Sequence, residues 1–152
     1  MAELNEVIVG LLQAGRPVEL RAGGVSMLPL LWPRMRLHTE PCDNFRRGDI
    51  AVYISNNGKL IAHRIVQIKE ENILLQGDSC LKPDTIVAPK QIVGIVTKVH
   101  IGNKTLSVSG RIGQLYSHLI LLTSPVSHIG NHILAIIVSE ILVLRGIIKN
   151  EK

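Results

Sequence analysis

Across residues 17–106, short β-branched runs are separated by turn signals, and this rhythm restricts the chain to a mainly β fold. Val18, Leu20 and Ala22 alternate with Glu19 and Arg21, the pattern of a strand with one face buried. Residues 50–54 read as a short buried strand. Ser55-Asn56-Asn57-Gly58 is a strong turn signal, and residues 60–69 complete a hairpin. Residues 73–76 form another strand. Residues 91–101 form a longer one, which turns at Gly102-Asn103 into residues 105–108. Within the strand that carries His63, the residues Ile61, His63, Ile65 and Gln67 share one face, so His63 projects beside apolar neighbours.

The two flanks differ from this β region. Leu4, Val7, Ile8, Leu11 and Leu12 recur at helical spacing, Glu3 and Glu6 favour the start of a helix, and Gly15 suits its end. This stretch is too short and too acidic for a signal peptide or membrane anchor. Residues 111–123 and 129–148 are rich in Ile, Leu and Val, and Ser124-Pro125 divides them into two expected helices. A spanning helix needs ~20 predominantly apolar residues, and Ser139, Glu140 and Arg145 interrupt the second run. Three readings stand: a hairpin packed on the β domain or a second subunit, a membrane-associated or spanning hairpin, and a flexible tail. The expected organisation is an N-terminal amphipathic helix over residues 1–15, a β domain over 16–109 and an apolar helical region over 110–152.

At 152 residues the chain suits one small core. Hydrophobic residues make up 46%, and the mean hydropathy of +0.28 is high for a freely soluble protein. Net charge is +5, but the basic residues form no run, and aromatics are only 3%, which argues against nucleic acid as a partner. Cys42 and Cys80 do not make a disulfide framework and read as free thiols in a reducing compartment. No metal-ligand spacing is visible: His128 and His132 lie four apart on an expected helix but lack a nearby third ligand. No cofactor is expected.

Chemistry concentrates in Gly23-Gly24-Val25-Ser26-Met27-Leu28-Pro29-Leu30. Glycines permit a sharp turn, and Pro29 fixes its own φ and pushes Leu28 toward extended geometry. The expected result is a stiff, non-helical turn that holds the Ser26 hydroxyl in one place, as a nucleophile needs. A serine also needs a base, and His63 in its apolar strand is the candidate. Gln76-Gly77-Asp78-Ser79-Cys80 and the following residues to Asp84 bring two carboxylates, Asp78 and Asp84, in a turn-rich segment. Each has a plainer role available: Ser26 as a turn serine, His63 as a core histidine, Asp78 as a turn cap.

Taken together these boxes resemble type I signal peptidases. Ser26-Met27-Leu28-Pro29 is similar to the Ser-Met-x-Pro nucleophile box, and Arg47-Gly48-Asp49-Ile50-Ala51-Val52-Tyr53 to the strand that follows it. Ala62-His63-Arg64-Ile65-Val66 resembles the base-bearing strand, in the His-Arg form of the endoplasmic-reticulum and archaeal type. Gly77-Asp78-Ser79 resembles the Gly-Asp-Asn box, and Asp84 stands where His-type members carry a further Asp. The match covers roughly residues 23–96 in the family's order.

The resemblance implies a signal peptidase-like β domain and a serine endopeptidase that cleaves signal or leader peptides through an acyl-enzyme. It implies Ser26 as nucleophile, His63 as base, and Asp84 as the carboxylate that orients His63, with Asp78 in reserve. Met27, Pro29 and Gly24 would meet the substrate. Many bacterial members carry a side-chain oxyanion donor two residues before the nucleophile; that position is Gly24 here, so the backbone N–H of Ser26 is the expected donor. The expected partner is a peptide or precursor protein with small residues at the first and third positions before the cut. It would pair with strand edges beside the site. The missing N-terminal anchor favours a cytoplasmic processing peptidase, and the apolar C-terminal region favours membrane association. The self-cleaving domains of SOS repressors, with a Ser-Lys pair on a related fold, fit less well. A non-catalytic peptide-binding module on the same scaffold is the alternative from another class.

Overall fold

The computed structural model describes residues 2–28, 30–80 and 85–109. A helix, α1 (Ala2–Gln13), leads into eight strands: β1 (Val18–Arg21), β2 (Arg36–Glu40), β3 (Ile50–Ile54), β4 (Leu60–Ile68), β5 (Ile73–Gln76), β6 (Thr85–Val87), β7 (Ile92–Ile101) and β8 (Lys104–Ser107). The expectation of a mainly β fold with a short N-terminal helix therefore holds. The expected C-terminal helical hairpin lies outside the described residues, as do Pro29 and Asp84.

All strands join one antiparallel sheet in the order β1-β2-β7-β3-β4-β5-β6. β7 is the axis. It pairs with β2, takes β3 along Ile92, Gly94 and Ile95, and takes β8 along residues 98–101. Register shifts leave an extra residue on β7 opposite His38–Thr39 (Thr97) and opposite Val52–Tyr53 (Val93), and one on β4 (Val66) between Ile65 and Gln67. Such bulges add local twist and bend a strand, and the sheet curls until both faces carry a core.

The apolar run of β3 is explained by this curl. Ile50 and Val52 enter one core with Leu12, Leu37, Val93, Val96 and Val99. Ala51 and Tyr53 enter the other with Ile65, Ile73, Leu75, Val87 and Ile95. A strand buried on both faces has no polar side to show. β1, at the sheet edge, keeps the simple alternation of half-buried and exposed residues. The bulge in β4 also breaks the face expected for it. Ile65 is fully buried, whereas Gln67, two residues on, is exposed.

Two strands were not expected from sequence. Arg36–Glu40 is largely polar, and Thr85–Val87 has only three residues, so neither carries a periodic signal of its own. Tertiary pairing with β7 and β5 makes them strands.

α1 ends as anticipated at Gly15, whose φ is +78°. Gly15 N–H donates to Leu12 and Arg16 N–H to Leu11, the paired bonds that cap a helix C-terminus. Leu12 is the helix's deep anchor, only 2% exposed within the first core. Leu12→Ala should lower unfolding stability by about 2–5 kcal/mol, read as a fall in the urea midpoint. Both cysteines are free thiols. Burial pushes the Cys42 thiol up; a backbone hydrogen bond with Asn44 opposes this, and the nearby charges of Asp49 and Asp43 add to the rise. Raising this value keeps the thiol neutral as pH rises through the usual range. Iodoacetamide at pH 8 should therefore alkylate Cys42 several-fold more slowly in the folded protein than in the urea-unfolded chain.

Candidate active site

Ser26 follows β1 and the two glycines in a loop closed onto itself. Ala22 N–H donates to Met35 at 2.9 Å, and Arg34 N–H donates back to Ala22 at 2.7 Å. Arg34 takes a left-handed backbone (φ 71°) to make that return. Leu28 N–H donates to Val25 and Leu31 N–H to Met27, and residues 25–28 form a turn with no helix. Met27 and Leu31 then bury at 4% and 2% exposure, which pins the turn to the core and leaves Ser26 half-buried at its start.

His63 stands on β4 opposite Ala51 of β3. Its ring is 6.0 Å from that of Tyr53, tilted by 56°, a contact in the favourable range for aromatic pairs. From there its Nε2 meets the Ser26 Oγ at 3.0 Å, across 37 residues of chain. With its proton on Nδ1, the imidazole presents the Nε2 lone pair to the serine hydroxyl. That arrangement can take the hydroxyl proton as the oxygen attacks an electrophile.

The turn after β5 holds these two residues together. Asp78 accepts from Arg64 Nε at 2.7 Å and from Arg64 Nη2 at 2.6 Å, while Arg64 Nη1 donates to the Gly48 carbonyl at 2.8 Å. The two side chains are 2% and 1% exposed. Gln76 Nε2 donates to the Cys80 carbonyl, and Cys80 N–H donates to Gly77, so the turn is closed at both levels. Ser79 then reaches across: its N–H donates to the Ser26 carbonyl at 2.9 Å, and its hydroxyl to the Val25 carbonyl at 3.0 Å. Gly77 lies directly under Ser26. A Cβ there would come within 2.6 Å of the Ser26 carbonyl oxygen and 2.9 Å of the Ser26 Cβ.

Beside Ser26 runs a groove of about 860 Å³. Its floor is apolar and includes Met27, Leu31 and Val52. One wall is β1 with its extension through Gly24; the other is the start of β4. Both walls are strand edges. β1 ends the sheet. β5 pairs with β4 only from Arg64 onward, so residues 60–63 extend past it. Ile65 spends its N–H and carbonyl on Asp49 and Gly48, on the β3 side. Strand alternation then turns the backbone groups of Ala62 and Leu60 to the other side, toward the groove.

Of the residues singled out from sequence, Ser26 and His63 are hydrogen-bonded, and Met27 and Gly24 line the groove. Asp78 lies on Arg64. Sequence reasoning gave no positioning role to Gly77, Ser79 or Tyr53. The turn signal at Gly77 was visible, but the approach to Ser26 spans 51 positions and has no local signature. Among the described residues, no group of three or more His, Cys, Asp or Glu could hold a metal ion, and no helix is long and apolar enough to cross a membrane. Comparison with family models, curated proteins and solved structures finds no match for this chain.

Asp78→Asn would leave the buried guanidinium of Arg64 without its counter-charge. Removing one partner of such a pair costs about 3–5 kcal/mol. A urea unfolding curve should show that loss; a midpoint equal to wild type would remove the ion pair from the fold's supports.

Proposed function

We propose that this chain is a serine endopeptidase resembling signal peptidase I. The observation that carries this reading is the 3.0 Å contact between Ser26 Oγ and His63 Nε2. A turn serine and a core histidine have no need to meet. The groove between two strand edges adds weight, because an extended peptide can pair with such edges by main-chain hydrogen bonds and lie across the serine.

On this reading His63 removes the proton as Ser26 Oγ attacks the scissile carbonyl. The tetrahedral oxyanion is met by the backbone N–H of Ser26, a kind of contact worth roughly 3 kcal/mol per donor. His63 next gives its proton to the leaving amine, and an acyl-enzyme remains on Ser26. Water, activated by His63 in turn, releases the acyl group and restores the hydroxyl. Asp84 keeps the role that the resemblance implies, holding the tautomer of His63. Asp78 serves by holding Arg64, the neighbour of His63 on β4. The resemblance further suggests signal or leader peptides as substrates, with small residues at the first and third positions before the cut.

The groove would serve a non-catalytic peptide-binding module equally well, so the test must read cleavage. A diverse peptide library incubated with wild type, Ser26→Ala and His63→Ala, and analysed by mass spectrometry, should yield cuts from the wild type alone. Equal cutting by His63→Ala would remove the histidine from the mechanism. Binding without cutting by all three would favour the module. Gly77→Ala must push the Ser26 backbone aside, and a displacement near 1 Å costs about 10²-fold in rate. The same assay should show that loss with Ser26 and His63 both intact.

A further inference from the structure

The groove has a third wall that the catalytic boxes do not supply. Leu4, Asn5 and Ile8 of α1 line it, facing the edge of β1 and the start of β4. The helix is held at both ends. Leu12 is buried in the first core, and Asn5 Nδ2 donates to the Gly58 carbonyl at 3.0 Å, at the tip of the β3–β4 hairpin. Ile8 is half-buried against the first core, and Leu4, just before the Asn5 tether, faces the groove. Leu4 is 63% exposed. With Ile8, Leu20 and Leu60 it makes a contiguous apolar lining at this end of the groove.

We propose that α1 is the selective wall of the groove, where Leu4 and Ile8, with Leu20 and Leu60, form a subsite for a large aliphatic side chain of an extended peptide. This rests on the reading of the groove as a peptide channel. The occupant follows from the walls. Two strand edges offer main-chain partners, which an extended chain can satisfy and a helix cannot. The volume, about 860 Å³, lies within the usual range of roughly 300–1,000 Å³ for ligand pockets. The lining at this end is branched aliphatic, with Glu19, Arg21 and Lys59 along the groove for the polar backbone and solvent. Leu60 precedes His63 by three residues, about 10 Å at the strand rise. The selected side chain therefore belongs to a residue about three positions or more from the scissile bond, other than the small residue third before the cut, and beyond reach of Ser26 itself.

The test pans a phage-displayed library of linear peptides on full-length Ser26→Ala protein and reads cleavage preferences of the otherwise wild-type chain in parallel. The selected or cleaved peptides should share Leu, Ile or Met at one position. Adding Leu4→Asp to the Ser26→Ala protein should weaken binding of those peptides roughly tenfold by placing a charge against the aliphatic side chain. Val7→Asp, on the same helix at 59% exposure but away from the groove, should leave it unchanged. Circular dichroism confirms that α1 persists in both variants. Cleavage without an aliphatic preference, or equal binding by the Leu4→Asp protein, overturns the subsite and leaves the peptidase reading standing. Neither selection nor cleavage of any peptide overturns both.

Discussion

The buried pair of Arg64 and Asp78 is the constraint on which the site depends. Arg64 extends from the middle of β4, ties the Gly48 carbonyl before β3, and holds both carboxylate oxygens of Asp78 beyond β5. That fixes the turn at Gly77, and the turn in turn fixes the Ser26 loop through Ser79. A buried ion pair adds little net stability against an apolar substitute, but it tolerates no change of geometry, since either charge left alone in the interior is costly. The result is a short chain of contacts from strand to turn to nucleophile loop.

β4 performs two jobs because neighbouring residues of a strand point to opposite faces. His63 turns toward Tyr53 and the second core, and Arg64 toward the ion pair on the other side. The same strand outruns β5, so its first residues offer backbone to the groove while its later residues are locked in the sheet. One member of the reactive pair, one member of the positioning pair and an open edge thus come from one stretch, residues 60–64. The N-terminal helix completes the enclosure from outside the sheet, tethered through Asn5 to the hairpin that β4 completes.

Much of the architecture could be read locally. The strands at residues 50–54 and 73–76 have the expected bounds, and those at 60–68 and 92–101 nearly so, because each is an apolar run bounded by turn formers. The helix and its Gly15 end were equally legible. β2 and β6 were not: one is polar and the other short, and each owes its state to a partner far away in sequence. The turn at Ser26 draws on both levels. Its glycines and the proline suggest a non-helical turn, and burial of Met27 and Leu31 holds that turn against the core.

The sequence by itself determined which residues could do chemistry and that they sit at turns and strands of a mainly β chain, since side-chain type, periodicity and turn propensity are local properties. Only the tertiary structure decided that Ser26 meets His63, that Asp78 faces Arg64, and that Gly77 must lack a side chain. Those relations come from strand order, register and curl. They depend on long-range pairing between segments tens of residues apart, and no local pattern records which strand lies beside which.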